Sequence, residues 1–263
     1  MRLLVVLPLE PWFKGGVENV VKEYSKCLRK DHELTILCTR ATLKKNMQKK
    51  MWMDIQVLIF KSYGGMLRIS PGLVNYVKAN TRKFDLLVLH NYSTMLPAQI
   101  LWFKGTIQTP VVLTPHFHTQ GSTALLRIFR IYYDIIFKKL FLKKIDALQF
   151  VSQTEKAEFL RKFPTTTLHK VIYNGIDIGR FTNKEIEKMP VEKKEILCVG
   201  RLEKYKNIQF VIRTLNYLPG EFTLVVMGTV KKIQRKRTRF SGKVKKIQRK
   251  RTRFSFFRIF EDN

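Results

Sequence analysis

Short apolar runs alternate with segments of helical spacing along the first 180 residues. The runs have the lengths of strands and lie at 2–7, 33–38, 54–60, 85–90, 110–114, 147–151 and 168–172. Between most of them apolar residues recur every three or four positions, which predicts helices over 15–28, 67–80, 95–103, 123–144 and 153–162. The alternation predicts an α/β fold with a parallel sheet covered on both faces. The polar, basic segment 39–50 is predicted to be a loop.

A charged segment at 182–194 contains Pro190, lacks sustained apolar spacing and is predicted to be a linker between domains. A strand–helix–strand pattern restarts at 195–200, 207–218 and 222–227 and stops after Gly228. We therefore divide the chain into a complete domain at 1–181, the linker, the start of a second domain at 195–230, and a tail at 231–263.

The tail is dominated by a repeated basic segment. Residues 231–241 recur without change at 245–255, and the tail holds 14 Lys and Arg against 2 Asp and Glu. Such a charge block gains little from burial, which predicts disorder and a nonspecific affinity for polyanions. A displaced or duplicated reading frame is the alternative origin. The remaining 230 residues, with 36 basic and 18 acidic side chains, are basic as well.

The cysteines and the lengths of the apolar runs narrow the cellular compartments in which the protein is expected. Three cysteines without a C-x-x-C pair fit a reduced, cytoplasmic protein and give no zinc or disulfide framework. No apolar run approaches the length of a membrane span, and the N-terminus lacks the features of a signal peptide. The segment 125–145 nevertheless mixes apolar with basic residues. With the basic loop at 44–50, it could seat the protein peripherally on the anionic inner face of a membrane, or it could be a core helix with a solvated basic side.

Gly15 and Gly16 stand between the first predicted strand and its helix. Unpaired backbone N–H groups and the dipole at a helix start favour an anion, and glycine lets a phosphate or sugar approach closely. The alternative is a plain strand-to-helix turn. The segment is not G-x-G-x-x-G, so the dinucleotide fingerprint does not apply.

Three further stretches follow predicted strands, where open α/β sheets bind ligands. His116 and His118 lie in a proline-bearing loop, with no Cys or carboxylate close in sequence, so no metal is predicted. Asn174 and Gly175 form a potential turn. Arg201 and Lys206 lie between a strand end and a helix start, where two cations would suit a diphosphate. Each could also be an ordinary structural or solvated residue.

Together and in this order, these stretches resemble the family 4 glycosyltransferases of the GT-B fold over roughly residues 1–230. The resemblance rests on four segments, which are 15–18, 152 with 155, 174–177 followed by Phe181, and 200–203 with Lys206. It implies two Rossmann-like domains, a nucleotide-diphosphate sugar as donor, and transfer of a hexose with retention, without a cofactor or metal. The acceptor would be a glycan, a lipid-linked sugar or a small molecule.

The resemblance also assigns roles to residues. Arg201 and Lys206 would hold the diphosphate, with Gly15 and Gly16 lining the phosphate and acceptor side. His116 would face the transferred sugar as the catalytic candidate, with His118 as the alternative if the loop aligns two residues later. Further site candidates from the matching segments are Glu18, Ser152, Asn174, Gly175 and Asp177.

The chain departs from the family pattern after Gly228. The family's Glu-x₇-Glu motif is absent, since the only acidic residues there are Glu261 and Asp262. We therefore expect a truncated donor-side domain that folds marginally, weak or undetectable affinity for a nucleotide-sugar donor, and doubtful catalysis by this chain alone. The alternative function is a noncatalytic Rossmann-like binding module whose basic tail engages nucleic acid or anionic membrane.

Overall fold

The computed structural model describes residues 1–117, 124–179, 194–200, 206–218, 222–228 and 257–259. Backbone contacts divide the chain into two compact units, Met1–Asn183 and Lys184–Asn263. The division falls within 182–194, the range that the sequence analysis assigns to a linker; residues 180–193 lie outside the described residues.

The first unit alternates strands and helices. Its strands are β1 (Arg2–Val6), β2 (Glu33–Arg40), β3 (Met47–Trp52), β4 (Ile55–Lys61), β5 (Leu86–His90), β6 (Val111–Thr114), β7 (Ala147–Phe150) and β8 (Leu168–Val171). Its helices are α1 (Gly16–Leu28), α2 (Pro71–Asn80), α3 (Leu96–Trp102), α4 (Ala124–Ile136) and α5 (Gln153–Lys162). The predicted parallel α/β fold is confirmed.

The eight strands form one sheet in the order β3-β4-β2-β1-β5-β6-β7-β8. All neighbours are parallel except β3 and β4. The chain winds outward from β1 in one direction through β2 and β4, then returns to β5 and winds the other way. The switch point between β1 and β5 is therefore where a ligand site is expected, outside the carboxyl ends of the strands.

Alternate side chains of the strands enter two separate cores. In β1, Leu4 and Val6 pack into the larger cluster with residues of α2, α3 and α5, while Leu3 and Val5 pack on the other face with Val21 of α1. Successive strand residues point to opposite faces, so the continuous apolar runs of the sequence are what two covered faces require.

Two predicted elements are wrong in detail. Residues 47–52 form the antiparallel edge strand β3 and not a loop, because backbone pairing with β4 outweighs their polar composition. An exposed edge strand rich in lysine is a common protection against edge-to-edge pairing. The predicted helix at 123–144 is interrupted, since α4 continues into a π-helical turn at Phe137–Phe141 and a 3₁₀ turn at Leu142–Lys144.

The second unit contains β9 (Lys194–Val199), α6 (Ile208–Thr214), β10 (Phe222–Gly228) and β11 (Phe257–Ile259). All three strands are parallel in the order β11-β10-β9. Its buried apolar cluster holds Leu215, Leu224 and Val226. Within the tail, residues 257–259 depart from the expected disorder by pairing with β10, and the repeated basic segments lie outside the described residues.

Candidate functional site

A chain of three side chains crosses the switch point of the sheet. The hydroxyl of Tyr24, on α1, lies 2.8 Å from Nε2 of His90, the last residue of β5. Nδ1 of His90 lies 3.0 Å from Nε2 of His116, in the loop after β6. The rings also stack, with centroids 5.8 Å apart for Tyr24 and His90 and 5.3 Å apart for His90 and His116. A helix, a strand end and a loop thus place the candidate catalytic histidine.

Burial fixes the protonation of this chain. His90 is buried, and burial together with the neighbouring His116 holds the pKa of His90 well below its ordinary value, so His90 is neutral near pH 7. Burial raises the pKa of Tyr24, so its hydroxyl keeps its proton. A neutral imidazole carries one proton, so two arrangements satisfy both contacts: Tyr24 donates to Nε2 of His90 and His90 donates from Nδ1 to Nε2 of His116, or both hydrogen bonds run in the opposite direction. We infer the first arrangement, in which His116 accepts at Nε2 and carries its own proton on Nδ1.

His116 has a strained backbone that its surroundings enforce. Its φ is +49°, a left-handed conformation that L-residues other than glycine adopt rarely. The next residue, Phe117, is buried among aromatic rings, with centroids 5.6 Å from those of Tyr92 and Phe159. On the other side, the N–H of Tyr92 donates to the carbonyl of Pro115 at 2.9 Å. Strain held by a well-packed frame is typical of functional sites.

Glu155 ties this loop to the neighbouring strand. Its buried carboxylate accepts hydrogen bonds from the backbone N–H groups of Phe117 (2.8 Å) and Val151 (2.7 Å). The Oγ of Ser152 in turn accepts from the N–H of Glu155 at 3.0 Å, which caps α5. Ser152, predicted as a site residue, is therefore engaged as the helix cap, and Glu155 positions the loop that carries His116.

Glu18 occupies the anion position expected at Gly15 and Gly16. A Cβ added to Gly15 would meet the Glu18 carboxylate oxygen at 1.9 Å, so the buried carboxylate lies directly over this glycine. Burial raises the pKa of the Glu18 carboxyl, its own backbone N–H and Arg68 lower it, and Glu10 raises it further. Gly16 has open space around its Cα. A phosphate could bind at this position only after the Glu18 carboxylate had moved away or had taken up a proton.

The remaining predicted residues are placed as follows. Asn174, Gly175 and Asp177 lie in an exposed segment after β8, away from regular structure, and neither Asn174 nor Gly175 has the positive φ of an Asn-Gly hairpin turn. Lys206 is exposed in the second unit, directly before Asn207, the residue that precedes α6.

Arg201 and His118 lie outside the described residues. Among the described ranges, no three His, Cys, Asp or Glu side chains gather as a metal ion would require. None of the helices in the same ranges has the length and hydropathy needed to cross a membrane.

Sequence reasoning missed Tyr24, His90 and the anchoring role of Glu155. Tyr24 fitted the apolar spacing of α1, and His90 was included only as the last residue of a strand. A histidine at the carboxyl end of a buried parallel strand, next in order to the strand before His116, was the available signal.

The sequence profile of glycosyltransferase family 4 matches residues 14–180, and the chain belongs to this family. The match contains the glycine turn and all three members of the Tyr24–His90–His116 chain. It therefore covers the candidate site of the first unit.

Curated relatives share shorter segments with this chain. An N-acetylgalactosamine-N,N'-diacetylbacillosaminyl-diphospho-undecaprenol 4-alpha-N-acetylgalactosaminyltransferase of Campylobacter jejuni is 37% identical over 59 residues, which are 22% of this chain and 16% of that protein. An uncharacterized glycosyltransferase of Methanocaldococcus jannaschii is 28% identical over 112 residues, covering 40% of this chain and 29% of that protein. The chain thus matches less than a third of either relative's length.

Solved structures share the fold. The sucrose-phosphate synthase of Thermosynechococcus elongatus superposes with a TM-score of 0.67 at 14% identity, over 97% of this chain and 70% of that one. HepE of Anabaena, in complex with UDP and glucose, superposes with a TM-score of 0.60 at 19% identity, over 88% of this chain and 61% of that one.

Proposed function

We propose that the protein acts as a glycosyltransferase that transfers a hexose from a nucleotide-diphosphate sugar to a glycan, a lipid-linked sugar or a small-molecule acceptor, with retention at the anomeric carbon. Family membership and a structural relative described in complex with UDP and glucose support a nucleotide-sugar donor. No cofactor or metal is part of the proposal.

The observation that carries the proposal is the hydrogen-bonded chain of Tyr24, His90 and His116 at the switch point. It keeps His90 neutral and orients the ring of His116, whose Nε2 lies 3.0 Å from Nδ1 of His90. A neutral imidazole with a fixed orientation can form a directional hydrogen bond to a sugar hydroxyl. A positively charged imidazole would instead attract a phosphate without geometric preference. We assign His116 to the transferred sugar.

The leaving diphosphate is assigned to the basic groups of the second unit. The C1–O bond breaks with its electron pair going to the diphosphate, and the acceptor oxygen bonds to C1 on the same face while its proton passes to the leaving group. By the family resemblance, Arg201 and Lys206 would stabilise the charge that develops on the diphosphate. Gly15 and Gly16 leave room for the phosphate and acceptor side once the Glu18 carboxylate moves.

Turnover and binding by the full chain test the proposal. UDP-, GDP- and ADP-hexoses are offered with glycan and lipid-linked acceptors, and release of nucleoside diphosphate and the anomeric configuration of the product are measured. We expect slow turnover with a retained configuration, reduced at least tenfold in His116→Ala. Arg201→Ala should weaken donor binding by about 1.5–3 kcal/mol, the range for hydrogen bonds to charged groups. Arg213→Ala, an exposed arginine of α6, is the matched control.

Two outcomes would overturn the proposal. An inverted product would exclude retention. Absence of both turnover and binding for every nucleotide sugar, with salt-sensitive binding of nucleic acid retained, would favour a noncatalytic basic module.

A further inference from the structure

The outer face of α4 is apolar where a surface helix is normally polar. Ile131, Tyr132 and Ile135 lie on the side of the helix opposite the core, where they are 58%, 65% and 48% exposed although they are large apolar residues. The same exposed arc continues through further large apolar side chains, which are Ile128, Phe129, Ile136 and Leu140. The buried side of the segment holds Tyr133, Asp134 and Phe137. The buried residues and the exposed lysines of the segment agree with a core helix that has a solvated basic side, but that expectation does not account for the exposed apolar arc.

The neighbouring helix α2 follows the ordinary rule. The exposed residues of α2 include Asn75, Lys78 and Ala79, none of which is a large apolar side chain. The apolar face of α4 therefore does not reflect the composition of the whole unit. Scattered apolar residues need no explanation, but six on α4 and Leu140 in the π-helical turn form a continuous patch, and such patches mark interaction sites.

The patch extends into a groove between helices. A cavity of about 510 Å³ opens beside it and is lined by residues of α2, α3 and α4, among them Trp102, Phe103, Phe129, Tyr132 and Ile136. Trp102 is 60% exposed, and its ring packs 6.1 Å from that of Phe141. Exposed Trp and Tyr beside an aliphatic face are typical of proteins that lie at a membrane–water interface.

The charged side chains beside this apolar face indicate what kind of partner it contacts. Lys138, Lys139 and Lys143 are exposed at the end of the apolar face, and between residues 128 and 145 the single acidic side chain, Asp134, is buried and paired with Lys162. A second copy of this chain would bring a formal charge of +30 against the same lysines. An anionic lipid surface satisfies both the apolar face and the lysines.

We propose that the outer face of α4, with Trp102 and the groove beside it, lies in the interface of an anionic membrane. The helix lies in the membrane plane, with its isoleucines and aromatic rings at the level of the acyl boundary and its terminal lysines among the headgroups. This binding is independent of the transfer reaction, so it can be tested without a sugar donor.

Vesicle sedimentation of the full chain tests the proposal. The vesicles are of phosphatidylcholine alone and of phosphatidylcholine with about one third phosphatidylglycerol. Ile131→Ser with Ile135→Ser should weaken binding to the anionic vesicles about tenfold, because two side chains no longer enter the apolar boundary. Leu168→Ser with Ile176→Ser removes two apolar side chains elsewhere that are each 74% exposed, and it is the control.

The basic tail could itself bind anionic lipid, so the charge experiment separates the two sources. Lys138→Gln, Lys139→Gln and Lys143→Gln together should weaken binding by roughly fivefold per lysine. The control replaces three other exposed lysines, Lys30, Lys83 and Lys170, by glutamine. The tail is identical in all variants, so an equal loss in both triple variants would assign binding to net charge and overturn the proposal.

Fluorescence locates the contact. With Trp12 and Trp52 replaced by phenylalanine, brominated lipid should quench the remaining Trp102 in anionic vesicles. Unchanged Trp102 fluorescence, or unchanged affinity in the isoleucine variant, would overturn the proposal. Concentration-dependent self-association that the isoleucine variant abolishes, without lipid binding, would assign the face to a second copy instead.

Discussion

The carboxyl edge of the sheet and the outer face of α4 depart from the ordinary rules of folding in opposite directions. At the edge, polar groups are buried, namely His90, His116, Glu155 and Glu18. On α4, large apolar side chains are exposed. Folding alone favours apolar groups inside and polar groups outside, so neither region is explained by stability.

The two departures are held in different ways. The buried polar groups at the edge have hydrogen-bond partners that fix their geometry, as buried polar groups require. The exposed apolar side chains of α4 are not covered by other residues of the described ranges, so we expect an external surface to cover them. A site that binds a small polar ligand and a face that docks on a membrane are therefore distinguishable from the pattern of burial.

The largest expected effect contrasts the two sides of α4. Phe137→Ala, directly after the last residue of α4, should lower the free energy of unfolding by about 3–5 kcal/mol, because the ring is fully buried, with its centroid 5.1 Å from that of Tyr92 and 5.9 Å from that of Phe163. Ile135→Ala, on the exposed face, should change it by less than about 0.5 kcal/mol. Chemical denaturation measures both. A comparable loss in the two variants would mean that the outer face is buried in solution.

The next effect concerns the anchor of the His116 loop. Glu155→Ala leaves the buried N–H groups of Phe117 and Val151 without their acceptor, which should cost about 2–4 kcal/mol. Glu158→Ala, on the same helix, is the control and should be close to neutral. The same denaturation experiment applies. Equal stability of the two variants would show that the carboxylate does not fix the loop.

A pH dependence follows from His90. Its pKa in the folded state is lowered from an unfolded value of about 6.5, so the unfolded state binds more protons below that pH and stability falls on acidification. Between pH 7.5 and 5.5 the contribution is at most about 1.4 kcal/mol. Thermal unfolding of the parent should show this loss relative to His90→Gln. Parallel curves for the two proteins would contradict a neutral, buried His90.

The smallest effect separates the two glycines. In Gly15→Ala the new methyl group displaces the Glu18 carboxylate, a flexible side-chain end, so the cost should be under about 1 kcal/mol. Gly16→Ala adds a methyl group in open space at a helix start and should be neutral or slightly stabilising. Thermal unfolding compares the pair. A larger loss of stability in Gly16→Ala than in Gly15→Ala would contradict the close contact between Gly15 and the Glu18 carboxylate.

The sequence predicted much of the fold because apolar runs and helical spacing record burial directly. The bounds of α5 were predicted as observed, and those of the parallel strands β1, β2 and β4 to β10 were predicted within two residues, whereas β11 was not predicted. β3 was missed because an edge strand gains its stability from backbone pairing, which Lys49 and Lys50 do not reveal. The π-helical turn within 137–141 leaves no signal in apolar spacing alone.

The candidate site was predicted only in part because it is built from long-range contacts. His116 and the glycine turn stand at strand ends that a pattern can identify. The contact of Tyr24 with His90 joins residues 66 apart, and that of His90 with His116 joins residues 26 apart. The order of strands in the sheet, which the sequence does not state, decides these neighbours.

The tautomers of the histidine chain test the account most directly. The protein has five histidines, so nitrogen-15 NMR of imidazole-labelled full chain resolves them, with His90→Gln and His116→Gln for assignment. At about pH 7.5 we predict protons on Nδ1 of both His90 and His116, loss of the His90 pattern in Tyr24→Phe, and a shift of His116 when a nucleotide-diphosphate hexose is added. A proton on Nε2 of His90, a charged His116, or no response of His116 to any such sugar would contradict the account.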